Sequence, residues 1–180
     1  MNGTKLAGGP TQDEIMAVSL FKLGLLNTDI VLEIGCGTGK VSVAMAKTVK
    51  KVYSLDKRSE AVSLATETAR NAGVHNIEFF CRDAMDFLKN DQVFDCAFLG
   101  GTRHLAEILP VLVKKVKRTI VINAVMVSTL ECAVTTLKGL GLFTEVVQVQ
   151  VSRSHDIAES IMFKPIDPVY IIVARGAACS

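Results

Sequence analysis

An apolar run, Ile30-Val31-Leu32, passes through Glu33 and Ile34 into three glycines at alternate positions, Gly35, Gly37 and Gly39, with Cys36 and Thr38 between them. Lys40 to Ala46 then has the pattern of a helix start. A strand that breaks into glycines and turns into a helix lets the main chain approach a bound group closely, and it points the helix's first N–H groups at that group. Nucleotide-like ligands need both. Two acids stand where such a ligand would use them. Asp56 follows Val52 to Leu55, 21 residues after Gly35, where a carboxylate accepts from both hydroxyls of a ribose. Asp83 follows Ile77 to Cys81 and precedes Ala84, giving a side-chain acceptor and a helix-start N–H for the two polar atoms on an adenine edge. Glu33 either orients the turn or meets a ligand's ammonium group through water. Each also has a plainer reading: Asp56 and Asp83 suit helix starts, Glu33 a lysine partner, and Cys36 a small buried filler.

Those residues need a sheet that delivers several strand ends to one edge. From about residue 30 to about residue 150, short β-branched runs alternate with helical patterns, which predicts a parallel sheet. Strands are expected at Ile30–Ile34, Val52–Leu55, Ile77–Cys81, Phe94–Leu99, Thr119–Asn123, Phe143–Val151 and Val169–Ala174. Helices are expected near Lys40–Val49, Ser59–Ala72, Ala84–Lys89, Thr102–Val116 and Ser128–Gly139, with Gly73 and Gly141 at C-caps and Ser128-x-x-Glu131 as a capping box. A second capping box, Thr11-Gln12-Asp13-Glu14, precedes the apolar positions Ile15, Val18, Phe21 and Leu25 and predicts an extra N-terminal helix. Ser152 to Pro168 reads as a polar loop that returns the last strand antiparallel.

In a doubly wound sheet the ligand lies beyond the carboxyl ends of the strands, where the direction of the connections switches. A dinucleotide fingerprint spaced Gly-x-Gly-x-x-Gly needs glycine where Lys40 stands. The spacing therefore favours S-adenosyl-L-methionine, which has no pyrophosphate. The expected fold is α/β, a Rossmann-like class I S-adenosylmethionine-dependent methyltransferase. Its sheet has seven strands with the last antiparallel, an extra N-terminal helix packs beside it, one domain covers residues 1–180, and residues 1–9 are flexible. The expected cofactor contacts are Gly35, Cys36, Gly37, Thr38, Gly39, Asp56, Asp83 and Ala84.

Composition narrows the partners. With 49% hydrophobic and 21% charged residues, the 180-residue chain has the makings of a core rather than of a disordered segment. A formal charge of +2 is too mild to announce nucleic acid, and the cluster Lys114, Lys115, Lys117 and Arg118 reads as a solvated helix end. Five scattered cysteines, none spaced Cys-x-x-Cys, imply neither a disulfide framework nor a metal site, and fit a reducing cytoplasm. No leader pattern and no membrane-spanning run is evident, so neither export nor a membrane partner is expected.

Several segments carry a resemblance: Pro10-Thr11-Gln12-Asp13-Glu14, Glu33 to Gly39, Val52 to Asp56, Phe98-Leu99-Gly100-Gly101, Ile122-Asn123-Ala124-Val125 and Ile166 to Ile172. From Pro10 to about Val173 the chain resembles the decarboxylating precorrin methyltransferases of cobalamin biosynthesis. It departs from them in Lys40 where Ser is frequent, Glu33 where Asp is common, and Ile166-Asp167 where Leu-Asn is frequent. The resemblance implies methylation of carbon 15 of a precorrin, with or without cobalt, and loss of carbon dioxide from the acetate on carbon 12. It implies that Thr11 lies over the cofactor, that Asp56 holds the ribose, and that Ala84 offers backbone contacts to adenine. It also implies a homotetramer, for which the edge residues Val147, Val149 and Val151 are candidate contacts. Longer members carry a second methyltransferase domain, so this chain is expected to act on carbon 15 alone.

A carboxylate-rich macrocycle calls for cations and amides around the mouth of the site. Arg103 and His104 follow the fourth strand, Asn123 ends the fifth, and Arg153 and His155 lie in the late segment. Asn123, Arg103 and His104 are the expected catalytic residues. Gly100, Gly101, Arg153 and His155 are the expected substrate contacts, the two glycines because bare backbone lies flat against a planar ligand. The bland alternatives are a surface arginine, a helix-start histidine, a turn amide and an exposed loop pair. Methylation of nucleic acid or another small molecule, a nicotinamide-dependent oxidoreductase, and a noncatalytic cofactor-binding module are the competing readings. The absence of an Asn-Pro-Pro-Tyr-like segment and an aromatic content of 6% count against the first.

Overall fold

A computed structural model describes Gly9 and residues 11–178. The expectation of flexibility for residues 1–9 therefore falls, apart from Gly9, outside the described residues, as do Pro10 and Cys179. A seven-stranded sheet is built from β1 (Ile30–Ile34), β2 (Lys51–Asp56), β3 (Ile77–Cys81), β4 (Phe94–Leu99), β5 (Val116–Ala124), β6 (Phe143–Val149) and β9 (Val169–Arg175) in the order β3-β2-β1-β4-β5-β9-β6. Strands β1 to β5 pair in parallel, whereas β9 runs antiparallel to both β5 and β6. The order reverses between β1 and β4, and the glycine loop leaves the sheet at that point.

Strand alternation sorts the side chains onto two faces. Leu32, Ile34, Ala97, Leu99, Ile120 and Ile122 face a core closed by α5 (Leu105–Leu112) and α6 (Val127–Gly139). Val31, Val52, Cys96, Phe98 and Val121 face a second core under α1 (Asp13–Leu23) and α2 (Lys40–Ala46). Each fully buried Leu or Ile contributes roughly 2 kcal/mol relative to exposure. Helix α3 (Ser59–Asn71) turns the small residues Ala61, Ala65 and Ala69 inward and packs on α2, β2 and β3. The short α4 (Ala84–Phe87) follows β3, with Asp83 as its N-cap.

Several expected boundaries move, each for a local reason. The helix expected over Thr102–Val116 runs only from Leu105 to Leu112, continues as a 3₁₀ turn over Val113–Lys115, and gives way to β5 at Val116, which pairs with Phe94. Neither capping box forms. Helix α1 starts after Gln12 rather than Thr11, one residue out of register for the box, and Glu14, the acid the box would use, pairs with Arg153 at 2.7 Å while Asp13 pairs with Lys40 at 2.8 Å. Helix α6 starts at Val127, with Met126 at its N-cap and its carbonyl receiving Thr129 and Leu130, which places Ser128 inside the helix.

The largest correction is at Ser152–Pro168. Most of it is not loop but a two-stranded hairpin, β7 (Ser152–Ile157) against β8 (Ser160–Pro165). Its two-residue turn, Ala158-Glu159, has φ of 43° and 62°, the left-handed pair of a type I′ turn made without the usual Asn or Gly. Val147, Val149 and Val151, expected to be exposed, are partly buried against the second core. Ile157, Ile161, Met162 and Phe163 of the hairpin are exposed, as are Phe21 of α1 and the run Val125-Met126-Val127 at the start of α6.

Candidate active site

Two cavities open at the carboxyl edge of the sheet and share Gly35, Arg58 and Gly100 as wall. The first, about 320 Å³, is lined by Thr11, Glu33, Cys36, Gly37, Thr38, Lys40, Asn123 and Val125, with Ile166 and Asp167 across from them. The second, about 730 Å³, is lined by Asp56, Lys57, Arg82, Asp83, Ala84, Gly101, Arg103 and His104.

The ridge between them is made of backbone. Gly100 and Gly101 donate from their N–H groups to Ile34 O at 3.0 and 2.9 Å, and Gly35 and Cys36 donate to Leu55 O at 2.7 and 3.1 Å. Gly35 has φ of 89°, and a Cβ there would lie 2.4 Å from Gly101 N, so only glycine fits. Gly39 answers a second close approach: with φ of 78°, its Cβ would sit 2.7 Å from Ala65 Cα of α3. Gly39 N donates to Cys36 O at 2.8 Å and Gly37 N to Asp56 Oδ2 at 3.2 Å. The N–H groups of Gly35, Cys36, Gly37 and Gly39 are thus spent inside the protein. The glycines serve close packing more than they serve a row of open donors.

Two acids floor the site in opposite electrostatic states. Glu33 and Ser54 point from adjacent strands to the same face, and Ser42 of α2 lies over them. All three are buried, with Ser54 Oγ donating to Glu33 Oε2 at 2.6 Å and Ser42 Oγ donating to the same oxygen. Hydroxyls supply no countercharge, so burial dominates and raises the Glu33 carboxyl to about 7, with the nearby Asp56 charge adding to the rise. Asp56 is also buried, but the Arg58 guanidinium, its backbone N–H and that of Gly37 hold its carboxyl below the usual range despite desolvation. Beside them burial pushes the Cys36 thiol up to about 12, which leaves it a packed, unreactive group.

Asn123, next to the last residue of β5, lines the first cavity. Ser19 of α1 has one hydroxyl hydrogen and two acceptors, Ile15 O at 2.8 Å and Asn123 Oδ1 at 3.0 Å, while Asn123 Nδ2 is buried without a partner among the described residues. With the hydrogen on Ile15, the amide turns so that its nitrogen serves Ser19 and its oxygen faces the cavity. Either way one polar atom is left for a ligand. Lys40 donates to Thr11 O at 3.0 Å and so holds Thr11 over the glycine loop.

Comparison with known proteins fits this arrangement. The family model described as a precorrin methyltransferase domain matches residues 5–175. The chain belongs to the precorrin methyltransferase family. It is 45% identical over 176 residues, 94% of this chain and 95% of the relative, to the probable cobalt-precorrin-6B C(15)-methyltransferase (decarboxylating) of Methanosarcina mazei. A Methanobrevibacter smithii protein of the same description is 31% identical over 93% of this chain and 91% of its own. Among solved structures, precorrin 8W decarboxylase of Methanobacterium thermoautotrophicum superposes with a TM-score of 0.89 at 27% identity, covering 92% of this chain and 91% of that one. A precorrin-6Y C5,15-methyltransferase from Geobacter metallireducens GS-15 gives 0.89 at 28% identity, covering 96% and 94%. The fold is that of the class I methyltransferases, shared at 17% identity and a TM-score of 0.76 with an O-methyltransferase of Thermotoga maritima.

Within this precorrin methyltransferase fold, the expected residues separate into those the structure gathers and those it does not. Thr11, Gly35, Cys36, Gly37, Thr38, Gly100 and Asn123 meet at the first cavity, and Asp56, Asp83, Ala84, Gly101, Arg103 and His104 at the second. Asp83 also caps α4, accepting from Met85 N at 2.9 Å, and His104 is the left-handed N-cap residue of α5 with φ of 57°. Gly39 packs under the loop against α3. Arg153 and His155 line neither cavity: Arg153 reaches Glu14 at 2.7 Å, and His155 pairs with Met162 across the hairpin. Arg58, Arg82 and Lys57 were not foreseen as lining residues.

Proposed function

We propose that this chain transfers a methyl group from S-adenosylmethionine to carbon 15 of a precorrin, with or without cobalt, and that the carbon 12 acetate side chain is lost as carbon dioxide. The observation that supports this most is the 45% identity, along nearly the full length of both chains, to the Methanosarcina mazei relative. The donor set suits the cofactor: a low-pKa carboxylate at the end of β2, a helix-start N–H at Ala84, and an unpaired amide atom of Asn123 at the cavity wall. When bound, S-adenosylmethionine supplies an electrophilic methyl group on sulfur.

Asp56 would accept the two ribose hydroxyls, Asp83 and Ala84 would read the adenine edge, and the loop from Gly35 to Gly39 would pass beneath the amino-acid end, with Thr11 above it. Glu33, on the wall of the first cavity, would ionise against an ammonium group there. The bare Gly100-Gly101 segment would let a flat macrocycle approach the ridge. Asn123 would fix its orientation from the β5 side, while Arg103 and His104 would offer cations or donors to its acid groups. The carbon nucleophile is the macrocycle's own electron-rich bridge, so the residues position and stabilise rather than form a covalent adduct.

Association of copies, in a homotetramer by the family resemblance, would use the hairpin, and its exposed apolar residues, with Phe163 66% and Ile161 64% exposed, support that reading. Among the described residues no helix is long and apolar enough to cross a membrane, and Cys36, Cys81, Cys96 and Cys132 are free thiols, which suits a cytoplasmic enzyme. Incubating the purified chain with methyl-labelled S-adenosylmethionine and cobalt-precorrin-6B tests the activity. Label in the macrocycle together with released carbon dioxide is expected, and methylation without gas would remove the decarboxylating half of the assignment.

A further inference from the structure

Asp56 accepts four hydrogen bonds. Oδ1 receives the Arg58 backbone N–H at 3.1 Å and Arg58 Nε at 3.0 Å, and Oδ2 receives Gly37 N at 3.2 Å and Arg58 Nη2 at 2.9 Å. An ionised carboxylate offers about four lone-pair positions, so this one is full. Two of the donors are main chain, fixed by the glycine loop and by the N-cap of α3 at Arg58. The other two belong to a single side chain and place one N–H on each oxygen. That is also the pattern in which a vicinal diol donates, one O–H to each oxygen. The guanidinium therefore occupies the two positions that a ribose would need.

We propose that Arg58 is an exchange residue. A ribose diol displaces its guanidinium from Asp56, and the freed cation binds a carboxylate of the macrocycle. This rests on the proposed cofactor and substrate and adds to them a specificity residue and a coupling between the two sites. The geometry supports the second half of the exchange as well as the first. Arg58 is part of the wall shared by both cavities, whereas Asp56 lines only the second, so a guanidinium leaving Asp56 remains at the junction of the two. Its side chain is one-third exposed, against 5% for Asp56, so the acid is the more fixed member of the pair. An arginine released from one carboxylate keeps a planar fork suited to another. Cofactor binding thereby builds part of the anion site, and the substrate carboxylate in turn favours the displaced state, a reciprocal coupling.

The test uses the intact chain at pH 8, where Asp56 is ionised, with S-adenosylhomocysteine and cobyrinic acid, a polycarboxylated corrinoid, as probes. Arg58→Ala removes the competitor, so its affinity for S-adenosylhomocysteine is expected to rise about fivefold, the upper range for a partly exposed ion pair. In the unmodified chain, saturation with S-adenosylhomocysteine is expected to tighten cobyrinic acid binding about fivefold, and in Arg58→Ala that enhancement vanishes. Arg58→Lys, which keeps the charge without the fork, falls between on both readouts and serves if the alanine variant folds poorly. Weaker binding of S-adenosylhomocysteine by Arg58→Ala, or equal enhancement in both chains, overturns the exchange while leaving the cofactor site standing. Failure of the unmodified chain to bind S-adenosylhomocysteine at all overturns the proposed cofactor and the exchange with it.

Discussion

The strand-end cradle and the β7–β8 hairpin solve opposite problems with the same chain. In the cradle, polar groups are buried and nearly every one is paired: Glu33 with two serines, Asp56 with four donors, and the loop N–H groups with carbonyls. In the hairpin the polar backbone pairs with itself, while apolar side chains face outward. Buried polar networks are costly to disturb because each lost partner leaves a desolvated group behind. An exposed hairpin has little packing to lose. Substitutions in the cradle should therefore damage both folding and binding, whereas substitutions in the hairpin should change association alone.

The sharpest way to break that contrast is Gly35→Val. Its side chain would be driven into Gly101 in a left-handed backbone, at an expected cost of roughly 4 kcal/mol in denaturant unfolding and with loss of S-adenosylhomocysteine binding. A variant of normal stability would mean that the ridge yields.

Glu33→Gln tests the same region through pH. The folded carboxyl is raised to about 7 from the 4.5 of an unperturbed glutamate, so between those pH values the unfolded chain has lost a proton that the folded chain retains. Stability is then fully present below about pH 4.5 and falls as pH rises to about 7, by about 3 kcal/mol, and is flat beyond. The glutamine variant should lack that slope in parallel melts across the window. Superimposable pH profiles for the two chains would show that Glu33 ionises normally.

Asp56→Ala removes two charge-assisted hydrogen bonds to a ribose and should weaken S-adenosylhomocysteine binding about a hundredfold in calorimetry. The smallest effect is expected at the hairpin. Phe163→Ser should leave unfolding within about 0.5 kcal/mol of the parent and shift sedimentation toward smaller species. If it instead unfolds the chain, the hairpin is part of the core and the contrast fails.

These regions also differ in how far the sequence discloses them. The sheet, the switch point and the acids at strands two and three follow from alternation and from glycines whose spacing has a steric reason. Asp56 and Asp83 arrive at the cavity because the first ends β2 and the second caps the helix that follows β3. The hairpin is hidden because its turn uses Ala158-Glu159 rather than Asn-Gly, and because its strands, polar in β7 and with the consecutive Ile161-Met162-Phe163 in β8, have no buried face to give a period of two. The failed capping box at Thr11 is hidden for another reason: Arg153, 139 residues from Glu14, captures the acid the box would use. Arg58 was overlooked because its role depends on both oxygens of Asp56 being counted, which only geometry allows.

The central claim is that the cradle at the end of β1 and β2 holds an adenosyl sulfonium cofactor. Side-by-side calorimetric titration of the intact chain with S-adenosylhomocysteine and with NAD measures it most directly. The account predicts saturable binding of the former at one site per chain, lost in Gly35→Val, and no heat from the latter. Tight binding of NAD with none of S-adenosylhomocysteine would contradict it.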